Sequence, residues 1–542
     1  MQYKEALKEE HYNYYNYNQL ENIEEAVSCY LNHISKQSNI AILVDDDVDG
    51  FTSAACIYMY TKKIAPEISV KYILHKTQKH NLNLDNEDVI IPEGTNLLII
   101  PDAGSNDIEQ CKQLKEKGID IIILDHHIME NKNEYAIVVN SQDNTYPNKY
   151  LSGVGVTYKF MQAVDQYYWC FNADDYLDLV ALGIISDNMS VSNIENRIII
   201  DKGLNKIRNK FLLKLIESQE YSLKGELDGI DIQFYITPLI NALIRVGKQE
   251  EKELLFNAFI ENYQEFDYKK RGSTTTIKED IYSRATRLCK NAKSKQKRLV
   301  DKMLPAIIED IQKNNFDKNA VVFGNVTGVE AHLTGLFAIK IADYFNKPCV
   351  LISETNNKGF TGSGRNNNFS NIENLQQTLL KTNCFDFVLG HNNAFGVKIQ
   401  KENIEKSIDI LNENLKDVDM EYCIPVDFSL DESQFEISFI RRMADLKKYY
   451  GVNFKQPYIL VKNILITHDN TEIIGKNLNT WKIVNDSGIE FVKFNFKDDD
   501  SLYEKLLECN GDFYINVIGK VGFNNFNGVL TPQMIVEDYE LC

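Results

Sequence analysis

Between Asn39 and Asp187, short runs of apolar and largely β-branched residues alternate with longer stretches whose apolar positions recur at helical spacing. Ile40–Val44, Val70–Leu74, Leu97–Ile100, Ile119–Leu124 and Ala136–Val139 predict strands, and Gly50–Lys63, Asn106–Lys117 and Gly155–Tyr167 predict helices. That alternation is the pattern of a largely parallel α/β sheet. From about Asp201 to Ile311 strand-like runs are lacking over most of the length, so helices are expected, with a polar break at Gly272–Thr276. A second α/β pattern starts at Ala320–Phe323, passes through a helix near Leu333–Phe345 and a strand at Cys349–Ile352, and closes around Gly390–Ile399. Within it, Thr361–Arg365 predicts a glycine-rich loop. After about Asp427, Tyr458–Ile466, Thr480–Val484, Phe491–Phe496 and Phe513–Val521 are short β-rich segments separated by turn residues. This is the rhythm of a small β-barrel, although periodicity does not separate an OB-fold from other barrels. The expected division is an α/β domain over 1–205, a helical connector over 206–315, a second α/β domain over 316–420 and a β-barrel over 425–542.

Composition narrows the function. A chain of 542 residues exceeds what one core organises, and 44% hydrophobic with 25% charged residues is ordinary globular usage. The ten cysteines are scattered without a CxxC pair, which points to a reducing interior. Met1–Glu10 lacks the apolar stretch of a secretory signal, and no apolar run approaches the roughly 20 residues that span a bilayer. A cytoplasmic protein without a membrane partner is expected. The net charge of −19 argues against indiscriminate duplex binding, so any nucleic-acid path has to be local. The most basic stretch runs from Arg284 to Lys302, where Asp301 is the only acid. Arg284, Arg287, Lys295, Arg298 and Lys302 share one helical face there and predict a wall that tracks a polyanion.

Four clusters carry the candidate chemistry. They are Asp45-Asp46-Asp47-Val48-Asp49-Gly50 after the first strand, Pro101-Asp102-Ala103-Gly104 after the third, Asp125-His126-His127 after the fourth, and Asp187 at the end of the helical run Leu177–Ser186. Taken singly, the first is a solvated acidic turn, the second a helix cap and the last a helix-terminal turn. Together they offer seven carboxylates and two histidines at one sheet edge, an arrangement that a cation makes inexpensive. Mixed carboxylate and imidazole donors suit a pair of divalent metals, Mn²⁺ or Mg²⁺, and such pairs, about 3.5–4 Å apart, promote phosphoryl displacement.

These four motifs, in this order, resemble those of the DHH phosphoesterases. Thr237–Gly247, with Asn241 and Arg245, is similar to a signature that RecJ-type exonucleases carry after the catalytic domain. Gly362-Ser363-Gly364-Arg365 and Gly390-His391-Asn392-Asn393-Ala394-Phe395-Gly396 resemble substrate-binding loops of the associated DHHA1 domain, and Gly519–Gly528 with Pro532-Gln533 resembles the end of the RecJ OB-fold. The resemblance implies that Asp47 and Asp49 each serve one metal, Asp102 bridges them, His126 and Asp187 complete the second site, and Asp45 supports the first. His127 would orient or neutralise the scissile phosphate, and Asp125 would be a ligand or a partner that fixes an imidazole. Arg365 and His391, in the loops of Gly364 and Gly390, would face the metals across a cleft and hold phosphate, with Asn241 and Arg245 placing the nucleotide chain. The implied activity is 5′ to 3′ exonuclease action on single-stranded DNA, releasing mononucleotides, with a single-strand-binding protein or helicase as a loading partner. A phosphodiesterase for oligoribonucleotides or cyclic dinucleotides would share the DHH and DHHA1 loops, but the RecJ-like tail and the long helical segment favour the exonuclease. A non-catalytic replication scaffold is the third reading, against which the intact acidic and histidine positions count. Two departures stand out: Asp46 occupies a position where an aromatic is common in the family, and His75 with His80 replaces an expected Arg and glycine loop.

Overall fold

Five strands, β1 (Ile40–Val44), β2 (Val70–Leu74), β3 (Leu97–Pro101), β4 (Asp120–Asp125) and β5 (Ile137–Asn140), form an all-parallel sheet in the order β2-β1-β3-β4-β5. This arrangement comes from a computed structural model that describes residues 14–542, apart from 77–81, 85–87, 143–144, 224–226, 271, 327, 330–332, 355–358, 368–369, 421–422, 476–477, 495, 497–501, 503–504, 506–511 and 527. Helices α1 (Ile23–Ser35), α2 (Val48–Ile64), α3 (Ile108–Glu116), α4 (Gly153–Tyr168) and α5 (Leu177–Ser186) cover the sheet on both faces. Ile40, Ile42 and Val44 enter the core shared with α1, α2, α4 and α5, while Ala41 and Leu43 enter the core shared with α3. Burial on both faces explains why β1 is apolar at every position. The N-terminal approach is held by a buried pair: Lys159 of α4 lies 2.6 Å from Glu195 and donates to the carbonyl of Tyr15 at 2.9 Å.

Helices α6 (Ile194–Leu204) and α7 (Lys210–Glu217) follow, then one turn, Gly229–Asp231, that continues as a π-helix, Ile232–Ile236, and then α8 (Thr237–Val246) and α9 (Gln249–Phe259). The polar break at Gly272–Thr276 lies in the connection of a hairpin, β6 (Glu265–Tyr268) with β7 (Ile277–Asp280). Its strands are rich in charge, which hides their alternation. The hairpin also changes the account of the basic helix α10 (Ile281–Lys313). Arg287 donates to both oxygens of Glu279 at 2.9 and 2.6 Å and lies 4.2 Å over the Tyr268 ring, while Arg284 lies 4.3 Å over Phe266. Two of the five expected backbone-tracking cations therefore bind the hairpin, and Lys295, Arg298 and Lys302 remain exposed.

The chain divides into two compact units, Met1–Lys293 with Phe428–Cys542, and Ser294–Asp427. The second contains β8 (Val322–Asn325), α11 (Thr334–Phe345), β9 (Cys349–Glu354), β10 (Gly359–Arg365), α12 (Leu375–Leu380), β11 (Phe385–His391), β12 (Ala394–Gln400) and α13 (Ile404–Asn414). Its mixed sheet has the order β11-β12-β10-β9-β8. Thr361–Arg365 lies within strand β10 and is not a loop. Glycine is needed there for close packing: a Cβ on Gly362 would fall 1.9 Å from the Leu351 carbonyl oxygen, and one on Gly364 would fall 2.3 Å from the Phe395 ring.

In the first unit, β13 (Phe428–Asp431), α14 (Ile437–Asp445), β14 (Ile459–Ile466), β15 (Thr471–Ile474), β16 (Thr480–Val484), β17 (Glu490–Phe494), β18 (Phe513–Phe526) and β19 (Val529–Leu541) build the OB-like part. Its sheet runs β13-β14-β18-β19-β17-β16-β15 around Phe435, Trp481 and Phe491. The segment between α14 and β14 fastens it to the α/β part: Lys447 Nζ lies 2.8 Å from Asp228, and the Val191 amide donates to the Val452 carbonyl at 3.0 Å. No helix among the described residues is long and apolar enough to cross a membrane.

Candidate metal centre

Because β1, β3 and β4 run parallel, the acids at their C-terminal ends reach one edge of the sheet. Asp45 follows β1, Asp102 follows β3, Asp125 is the last residue of β4, and Asp187 caps α5. Asp47 caps α2, accepting from the Gly50 amide at 2.9 Å. Asp49, in the first turn of the same helix, accepts from the Gly153 and Val154 amides of α4 at 2.7 and 3.1 Å and from the Ser152 hydroxyl at 3.2 Å. The positive end of α4 thus faces this carboxylate. His126 Nε2 stands 3.2 Å from an Asp102 oxygen and 3.4 Å from an Asp187 oxygen. Donor atoms of Asp49, His126 and Asp187 come together in one group, and those of Asp45, Asp47 and Asp102 in another.

The electrostatics fit a cation. Burial raises Asp49 to about 8, with Asp187 and Asp47 adding to the effect, and burial followed by repulsion from Asp49, Asp47, Asp45 and Asp187 holds Asp102 well above the usual carboxylate range. Burial and mutual repulsion oppose ionising these carboxylates together, and a divalent ion would offset that cost. Asp102 also adopts φ 67°, a left-handed conformation uncommon outside glycine.

Asp125 differs. Burial works against its ionisation, but His127, His126 and Ser105 overcome it and lower its pKa. Its carboxylate accepts from the His126 amide at 2.7 Å, the Ser105 amide at 3.2 Å and His127 Nδ1 at 2.8 Å. One oxygen, Oδ1, takes all the contacts from the two histidines, and the other accepts from Ser105. Desolvation opposes the charged form of His127, yet Asp125 lifts its pKa to about 9.

Further residues complete the surroundings, and among them Lys252, Asn140, Gly153 and Gly183 were not singled out by the sequence. His75 is buried, with Nδ1 2.9 Å from Asp88 and Nε2 3.9 Å from Asp45, so it backs the first motif and is not a surface group. His80 lies outside the described residues. Asp46 is held by Lys252 of α9, whose Nζ reaches both carboxylate oxygens at 2.8 Å, and this pair accounts for the departure from an aromatic. Asn140 donates to the Ser105 hydroxyl at 3.0 Å and the His127 carbonyl at 2.9 Å. Gly153 and Gly183 make room for the buried carboxylates: a Cβ on Gly153 would lie 2.3 Å from Asp102 Oδ1 and one on Gly183 2.4 Å from Asp49 Oδ1. The only signal for these two glycines was their position beside Asp49's cap and before Asp187.

Asn241 and Arg245 are one turn apart on α8, and Arg245 is near enough for Asp47 to favour its charge, against a larger desolvation. In the second unit, Arg365 ends β10 and donates to the Gly364 carbonyl at 2.7 Å, and a Cβ on Gly335 would lie 2.6 Å from its guanidinium. Gly390, at φ +136°, precedes His391 at the end of β11; the His391 side chain lies outside the described residues.

Residues 39–184 match the DHH family N-terminal domain, and residues 426–538 match the RecJ OB domain. A prophage-derived protein of Bacillus subtilis, YorK, assigned as a single-strand DNA-specific exonuclease, is 37% identical over 97% of this chain and 91% of its own length. The single-stranded-DNA-specific exonuclease RecJ of the same organism is 26% identical, covering 96% of this chain and 63% of that protein. The crystal structure of Thermus thermophilus RecJ in complex with Mn²⁺ has the same fold, with a TM-score of 0.71, 16% identity and coverage of 96% of this chain and 72% of that one.

Proposed function

The chain belongs to the RecJ family of DHH exonucleases, and from that premise we propose that it is a metal-dependent exonuclease on single-stranded DNA, degrading 5′ to 3′ and releasing mononucleotides. The observation that carries this reading is the convergence of Asp49, Asp102, His126 and Asp187, with His126 Nε2 within 3.4 Å of two of the carboxylates. Asp47 and Asp49 would each serve one of two Mn²⁺ or Mg²⁺ ions, Asp102 both, and His126 and Asp187 the second, with Asp45 supporting the first. Bound there, such ions supply Lewis acidity and lower the pKa of water toward neutrality. The protein's own part is to hold that set in place. Asp125 fixes the His127 imidazole and the His126 backbone, His75 backs Asp45, and the α4 amides orient Asp49. His127, directed through Nδ1 by Asp125, would contact the scissile phosphate.

Asn241 and Arg245 would place the incoming strand, and Arg365 with His391, in the strands of Gly364 and Gly390, would hold substrate phosphate. The functional division follows as 1–205 catalytic, 206–315 connecting, 316–420 substrate-binding and 425–542 nucleic-acid-binding. A single-strand-binding protein or helicase would load the enzyme on DNA in the cytoplasm. The test is digestion of end-labelled DNA and RNA single strands with either end blocked. Loss of cleavage only on 5′-blocked DNA is expected; equal cleavage from both ends, or of RNA alone, overturns the reading.

A further inference from the structure

Resting on the exonuclease reading, we propose that Phe234 and Tyr235 form a stacking platform for bases of the strand that enters the metal centre. The π-helix Ile232–Ile236 turns Ile232 and Ile236 into the core and leaves Phe234 and Tyr235 outside, 65% and 41% exposed. Two adjacent exposed aromatics on a π-helical turn form a small apolar patch, and π-helical turns concentrate at functional sites. The platform's position singles it out from the other exposed aromatics. Gln233, beside Phe234, donates to the Asn188 side chain at 2.8 Å, and Asn188 follows the ligand Asp187. The π-helix continues directly into α8, whose Arg245 lies within electrostatic range of Asp47. One continuous helical segment thus runs along the edge of the metal centre, from the Asp187 end to the Asp47 end, with its two free aromatics at the start.

Gln233 also lines the same recess as Lys448 and Tyr449, which lie between α14 and β14 in the segment that fastens the OB-like part to the α/β part. A strand passing from the OB-like part to the metals would meet a cation and then aromatic faces, the combination that binds single strands without regard to sequence. The exposed Trp169 and Phe171 lack this connection. They follow the far end of α4, a helix of 16 residues and about 24 Å in length, whose opposite end carries the Asp49 cap.

The test uses the full chain in excess chelator, so that strands stay intact, and oligodeoxynucleotides with 2-aminopurine at single positions near the 5′ end. Wild-type protein should quench the probe at one or two adjacent positions. Phe234→Ala and Tyr235→Ala should each abolish quenching at one of them and weaken binding about fivefold or more. Phe234→Trp should keep both, and Trp169→Ala should behave as wild type. With metal restored, KM for long strands should rise in the alanine variants by more than kcat falls. If the wild-type protein binds and degrades single strands while both alanine variants retain quenching, affinity and KM, the platform is refuted. If the wild-type protein neither binds nor degrades them, the exonuclease reading itself fails. Circular dichroism confirms that the variants are folded.

Discussion

Replacing Lys252 with methionine should destabilise the first unit by about 3–5 kcal/mol, because it leaves the Asp46 carboxylate buried without its counter-charge. The side chains are 5% and 6% exposed and share two contacts of 2.8 Å, so solvent screens little of the loss. Asp46→Leu together with Lys252→Met should recover most of it, since an apolar pair of similar volume avoids the desolvation of both ions. Burial raises the Asp46 pKa, with Lys252 opposing the shift. A carboxyl raised in the folded state stabilises it below the unfolded pKa and loses that contribution as pH rises through the folded value. The deficit of Lys252→Met should therefore be full at neutral pH and shrink on acidification. Calorimetric unfolding of wild type, both single variants and the double variant gives the coupling energy, and a Mn²⁺ titration reports whether the Asp45–Asp49 turn still binds. A double variant as unstable as Lys252→Met, or a deficit independent of pH, would refute the assignment of the cost to an uncompensated buried charge.

Asp102→Ala and His126→Ala should abolish cleavage while single-strand binding in chelator persists, as measured by gel digestion and fluorescence anisotropy; excess chelator should likewise stop the wild-type enzyme. Gly153→Ala forces a Cβ against Asp102 and should lower Mn²⁺ affinity and activity together, seen by titration and initial rates. Replacing Lys295, Arg298 and Lys302 with Gln should reduce the salt slope of single-strand binding by roughly 0.7 for each phosphate no longer neutralised. Arg287→Gln should instead lower thermal stability, because that side chain binds Glu279.

The first sheet was legible because β1, β3 and β4 are apolar runs that end at or just before an acid, so both the element and its acidic edge lie in one local signal. The convergence of Asp45, Asp102 and His126 followed from the parallel order, whereas Asp187 arrives from the end of helix α5. Elsewhere local signals misled. The glycines of β10 mimic a loop, although they serve close strand packing, and the β6–β7 hairpin strands are four residues each and rich in charge, too short for the alternation of β6 to stand out. The Lys252 and Asp46 partnership has no local signature, since it joins residues 206 positions apart. Arg284 and Arg287 looked available for nucleic acid because a sequence does not reveal the aromatic faces of Phe266 and Tyr268 beneath them.

The first unit is discontinuous in the chain, completed only when Phe428–Cys542 returns to it. During synthesis, at roughly 5–20 residues per second, the α/β part waits on the order of tens of seconds for that return. Until then the surface around Val191, Asp228 and Asp231 lacks the Lys447 and Val452 contacts that later cover it. A nascent chain is therefore most open to proteolysis and misassociation in that interval, and a premature stop before Phe428 makes the interval permanent.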